Sequence, residues 1–149
     1  MKNLTKKEKI SLFSYLSDRF GLSKETFKGL AFFKTESKIY LTTQECIQHP
    51  LFLDSETAGI AFIRPNGVLK PTTDFLQLFG SHIKKSVAKL TPEEAERYLR
   101  GEDIEKSLDF DNGYVAVKYN QNVLGCANFK QGVIKNQLPK SRRVKFKIK

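Results

Sequence analysis

The sequence predicts an α+β protein, with an α/β half followed by a half made almost wholly of strands. Three observations carry that expectation. Helix-start signals at Thr5 and Thr91 stand in front of apolar residues at helical spacing. A Pro65-Asn66-Gly67 turn separates two short apolar runs, as in a hairpin. Beyond residue 112 apolar and polar residues alternate repeatedly between short polar turns. Hydrophobic residues make up 40% of the 149, enough to build a core.

The elements follow in order. Thr5-Lys-Lys-Glu8 is a capping box, in which hydroxyl and carboxylate each satisfy an orphaned backbone N–H. Ile10, Phe13, Leu16 and Phe20 recur at helical spacing, and Gly21 stops the helix. A second short helix is expected from Ser23 to Gly29, with Phe27 inward. Leu30–Phe33 and Ile39–Thr42 flank a polar turn, which predicts a hairpin. Residues 43–53 read as a short helix interrupted at Pro50. A further hairpin pairs Gly59–Arg64 with Val68–Lys70, and Pro71-Thr-Thr-Asp74 opens a helix ending at Gly80.

After Gly80 the character changes. Val87–Leu90 is an expected strand. Thr91-Pro92-Glu93-Glu94 supplies a cap, a proline at the first helical position and two acids at the positive helix end. Residues 102–112 read as a polar acidic loop. Strands are expected over Tyr114–Tyr119, Val123–Lys130 and Val133–Lys135. At the end Val144, Phe146 and Ile148 alternate with Arg143, Lys145, Lys147 and Lys149, which predicts a strand with one cationic face.

The net charge is +10, and its placement is uneven. From Asn112 onward there are nine basic residues and no acid. Such a segment attracts a polyanion, either nucleic acid or an acidic membrane surface. No run approaches the roughly 18 apolar residues of a bilayer span, so a membrane partner is not expected. Cys46 and Cys126 are too far apart in sequence for a metal-ligand pattern and do not make a disulfide framework; buried thiols in a cytoplasmic setting are expected. The twelve Phe and five Tyr, with no Trp, are expected in the core or as stacking platforms for bases.

Catalysis has no visible home. His49 and His82 lie near no triad or metal pattern. The acids from Glu93 to Asp111 fall in a helix first turn and a polar loop, where a solvated acidic face is expected and not the buried carboxylate pair that acid/base work needs. There is no glycine-rich phosphate loop, so neither cofactor nor metal is expected. The segment Lys135-Asn-Gln-Leu-Pro-Lys-Ser-Arg-Arg143 stands out instead. Lys, Asn and Arg reach phosphate oxygens or base edges, and Pro139 stiffens the turn that presents them. Together with Lys145, Lys147 and Lys149 it holds seven cations in fifteen residues.

Gly113-Tyr-Val-Ala-Val-Lys-Tyr119, Val123-Leu-Gly-Cys-Ala-Asn128 and Gly132-Val-Ile-Lys-Asn-Gln-Leu-Pro-Lys-Ser-Arg-Arg143 resemble the PUA-like C-terminal region of Sun/Fmu-type rRNA cytosine-5 methyltransferases and its stand-alone archaeal relatives. Leu16–Gly29 resembles the pre-PUA region of those proteins. Lys70–Gly80 and Arg97–Asp103 are similar to the archaeal members. The resemblance implies a pre-PUA-like α/β domain over 1–79 and a PUA-like β pseudo-barrel over 80–149. It implies binding to structured RNA, rRNA or tRNA, in support of RNA modification or ribosome assembly. Carried onto this sequence, the implied RNA-binding positions are Lys135, Asn136, Pro139, Lys140 and Arg142, with Gly125 allowing close backbone approach. The cationic neighbours Arg143, Lys145 and Lys147 complete the expected site. Cys126 departs from the family pattern. Neither cysteine carries the Pro-Cys or Thr-Cys motif of the methyltransferase domain, so no methyl transfer is expected from these residues. The other readings are a protein-interaction subunit docking an RNA methyltransferase or assembly factor and, weakest, an enzyme of another type.

Overall fold

The computed structural model describes residues 2–49 and 59–145. Helix α1 (Lys6–Phe20) starts at the Thr5–Glu8 capping box, with both reciprocal bonds formed at 3.0 and 3.1 Å. It ends at Gly21, whose φ of 67° places it in the left-handed region. Its buried stripe is Leu12, Leu16 and Phe20, with Phe13 on the flank. Ile10, expected inside, is 63% exposed, because the buried i, i+4, i+8 row runs one residue to its side. The short helix expected after Ser23 is a 3-10 turn over Lys24–Phe27, and it does seat Phe27 in the core.

One antiparallel five-stranded sheet has the order β1-β2-β3-β4-β5, formed by β1 (Lys2–Asn3), β2 (Leu30–Lys34), β3 (Ile39–Thr43), β4 (Ile60–Asn66) and β5 (Val68–Pro71). Both expected hairpins are present, β2 with β3 and β4 with β5. Gly67, at φ 75°, turns the second one. Thr43 caps α2 (Gln44–Gln48); the expected interruption at Pro50 lies outside the described residues. Thr72 caps α3 (Thr73–Leu78), as the Pro-Thr-Thr-Asp run predicts.

The second sheet has the order β6-β8-β9-β10-β7 and curls into a half-barrel. Its strands are β6 (Val87–Lys89), β7 (Ile104–Glu105), β8 (Gly113–Tyr119), β9 (Asn122–Lys130) and β10 (Val133–Asn136). Strand β6 joins β8 in parallel, while the other pairings are antiparallel. Helix α4 (Pro92–Leu99) has Thr91 as cap, and Glu94 completes a capping box there. The acidic segment is not all loop: β7 forms within it, because Ile104 is fully buried against Ile134. The cationic strand expected at the end does not form over its described part, since Arg143–Lys145 lie outside any strand.

Two large apolar cores hold these layers, with a small third cluster around Phe33 and Tyr40. The first is an aromatic cluster containing Phe20, Phe27, Phe32, Phe62, Phe75 and Phe79. Phe20 meets Phe75 edge to face, at 6.3 Å and 90°. Full burial of each such ring contributes about 1.5–3 kcal/mol. Ala116 and Cys126 of the second sheet complete this same core. The second core lies under α4, around Tyr98, Ile104, Val115, Ile134 and Leu138. No described phenylalanine is exposed, so these rings are core residues and not open stacking platforms.

Further ties join helix α1 to the second sheet and its flanking loops. The Arg19 guanidinium donates to the carbonyls of Tyr114 at 2.7 Å and Asp111 at 3.0 Å. Ser86 donates its hydroxyl to the Arg19 carbonyl at 2.6 Å.

Candidate nucleic-acid interface

The distinctive segment Lys135–Arg143 leaves the half-barrel at the end of β10 and turns across the C-terminal end of α4. A tight turn at Gln131 and Gly132, both at positive φ, feeds β10 into its pairing with β9. Leu138, 2% exposed, anchors the turn in the second core. Pro139 then opens a 3-10 turn over Lys140–Arg142.

Asn136 holds this turn in place. Its Nδ2 donates to the carbonyls of Tyr98 at 2.7 Å and Glu102 at 3.0 Å. Its Oδ1 accepts from the Leu138 N–H at 2.8 Å. Its own backbone N–H donates to Asp103 Oδ1 at 2.8 Å. Both amide hydrogens are thus used inside the protein, so Asn136 is a staple between β10 and the end of α4, with no donor left for RNA.

Gly125 is also an interior feature. A Cβ there would lie 2.5 Å from the Tyr98 hydroxyl oxygen and 3.0 Å from Leu138 Cδ1. The close approach it permits is that of Tyr98, whose hydroxyl donates to the Cys126 carbonyl at 2.6 Å. Burial in this dry layer pushes the Cys126 thiol up to about 12, with the charge of Lys70 pulling the other way.

The remaining predicted positions divide by what they touch. Lys135, Pro139, Lys140 and Lys145 are exposed. The three lysines form no hydrogen bond or ion pair with other described residues. Arg142 reaches back to α3, pairing with Asp74 and donating to Gln77 Oε1 at 3.3 Å. Arg143 donates its Nε to the Leu138 carbonyl at 3.2 Å and packs over Gly101, where a Cβ would meet its side chain. Both arginines are therefore committed in part to fixing the turn. Lys147 lies outside the described residues.

Sequence reading missed the partners that position this turn: Tyr98, Asp103, Asp74, Gln77 and Lys70. Lys70 donates to Gln137 Oε1 at 2.6 Å and so ties the turn to β5. Nothing local marks these residues, because each acts across a large sequence separation. Other candidate groups stay apart from the turn. His82 is exposed in a 3-10 turn over Gly80–His82, and His49 ends α2. Among the described residues no group of three or more His, Cys, Asp and Glu is placed to hold a metal ion. None of their helices is long and apolar enough to cross a membrane.

A curled half-barrel with one parallel edge strand, a capped helix across it and a polar turn after its last long hairpin defines a PUA-like α+β fold. Residues 85–144 match the family of the methyltransferase RsmF PUA domain. The matched stretch is the PUA module and not the methyltransferase domain of those proteins. It contains β6–β10, α4 and the whole Lys135–Arg143 turn. No curated protein matches the chain.

Proposed function

We propose that this chain binds structured RNA, ribosomal or transfer, as an accessory in RNA modification or ribosome assembly and without catalysis of its own. The observation that carries the reading is the match of residues 85–144 to an RNA methyltransferase's PUA domain. The charge pattern supports it, because exposed Lys135 and Lys140 fall on the turn that the resemblance singles out, exposed Lys145 follows it, and none of the three pairs with another described residue. In this reading residues 1–79 act as a pre-PUA-like support, residues 80–149 contact RNA, and the setting is cytoplasmic.

Fluorescence anisotropy with unfractionated tRNA and an rRNA fragment tests it. Replacing Lys135, Lys140 and Lys145 together with Gln should weaken binding. The log–log salt slope should flatten by about 2 to 3, at roughly 0.7–0.9 for each phosphate no longer neutralised. Unchanged affinity and slope would reject the site. A second reading, docking of an RNA methyltransferase or assembly factor, draws on exposed Ile10 and the groove it forms with Phe13 and Leu22. Co-purification of a stable protein partner without RNA would favour that one.

A further inference from the structure

A cleft of about 310 Å³ lies between the first sheet and the C-terminal turn, with Lys38, Arg64, Lys70, Thr73, Cys126 and Arg142 in its lining. Three of its cations form a row. Arg64 on β4 pairs directly with Lys70 on β5. Ile39 pairs with Ile63, which brings Lys38, one residue earlier, beside Arg64. Directly opposed residues of antiparallel strands share a face, and like charges so placed weaken a sheet. The sequence nevertheless sets three in a line.

No described residue neutralises them. Among the described residues the one acid in the lining is Asp74, and it is already paired with Arg142. Lys70 meets the neutral Gln137 amide oxygen and, at 5.9 Å, the face of the Tyr114 ring, neither of which carries a formal negative charge. The side chains of Lys38 and Arg64 form no hydrogen bond or ion pair with other described residues. Thr73 also lines the cleft; it is 5% exposed, and its Oγ1 is buried without a partner. A buried hydroxyl left unpaired is destabilising, and a partner that reached it would remove that cost. A row of cations without a described counter-charge, beside an orphaned donor, is complementary to an oxyanion.

We infer that this cleft binds a backbone phosphate of RNA. Lys38, Arg64 and Lys70 supply the charge, and the Thr73 hydroxyl donates to a phosphate oxygen. This rests on the RNA-binding reading and extends it from the C-terminal turn to the N-terminal sheet. The volume is at the low end for ligand pockets, roughly 300 Å³, and so fits one unstacked nucleotide and no helical segment. Among the described residues no aromatic ring lines the cleft. Recognition here is therefore of the backbone, which positions RNA without reading its sequence.

The test uses the full chain and a labelled single-stranded RNA of about 12 nucleotides. Lys38→Gln with Arg64→Gln should weaken binding about tenfold and lower the salt slope by about 1.4. Lys84→Gln with Lys85→Gln removes the same charge from exposed residues outside the cleft and should have a clearly smaller effect. Thr73→Val should lower affinity about threefold while leaving the melting temperature equal or higher, because the orphaned hydroxyl is gone. If the parent chain binds RNA and the cleft variants match the Lys84/Lys85 control, the cleft assignment is overturned and the RNA-binding reading stands. If the parent chain binds neither this RNA nor structured RNA, both fall. Equal binding of polyglutamate, lost in the same variants, would assign the cleft to an acidic protein surface instead and overturn the RNA assignment.

Discussion

Asn136→Ala separates a structural role from an RNA contact at the residue where the two readings differ most. The substitution removes three side-chain hydrogen bonds at once, to the Tyr98 and Glu102 carbonyls and from the Leu138 N–H. A net hydrogen bond contributes about 0.5–1.5 kcal/mol, and these are only partly shielded from water, so a loss of about 2 kcal/mol is expected. For a chain of this size that lowers the melting temperature by roughly 4–8 °C. Calorimetry measures the shift. RNA affinity, measured well below the transition, should stay within about twofold of the parent, because the amide has no free donor. The reasoning fails if Asn136→Ala melts like the parent yet loses RNA binding, since the side chain would then be spending its bonds on RNA.

Other expectations follow from the same layer. Gly125→Ala drives a methyl group against the Tyr98 hydroxyl and Leu138, so a destabilisation of about 1–3 kcal/mol is expected in a denaturant titration. The two thiols should differ in reactivity: Cys46 is half-exposed and should react with Ellman's reagent in the folded protein, whereas Cys126 should react only on unfolding. A folded protein releasing both thiols at one rate would contradict the buried layer. Burial also raises the pKa of the Cys126 thiol, from about 9 to about 12, and those of the Tyr98 and Tyr15 hydroxyls. The folded chain then holds these protons more tightly than the unfolded one. Stability from this source is intact below about pH 9 and is lost as pH rises toward 12, visible as a falling melting temperature across that window.

Local chemistry was legible in the sequence and long-range chemistry was not. The capping boxes at Thr5 and Thr91 involve residues three apart, so their start positions could be read directly. The Asn66-Gly67 hairpin and the alternating strands β8 to β10 are similarly self-contained. Strand β7 was hidden because only Ile104 marks it within an acidic stretch, and its partner lies about thirty residues on. The charge excess and the Lys-Asn-x-x-Pro-Lys pattern pointed to the Lys135–Arg143 turn, which lies inside the matched stretch. They did not distinguish the side chains that build it, Asn136 and Gly125, from those it displays, Lys135 and Lys140. That division depends on Tyr98 and Asp103, which the chain brings in from another element. The row of Lys38, Arg64 and Lys70 was invisible for the same reason, since it exists only through strand register.

The aromatic core closed by Ala116 and Cys126 bears on how the chain can be made. A ribosome emits Phe20, Phe62 and Phe75 long before the strands that finish covering them. Until β8 and β9 emerge, the early half must wait with part of its greasiest surface open, a state prone to sticking to its neighbours. Closure then depends on contacts spanning most of the chain, which slows the final step. A fragment ending at Phe79 should accordingly collect in inclusion bodies, while the uncut chain stays in solution.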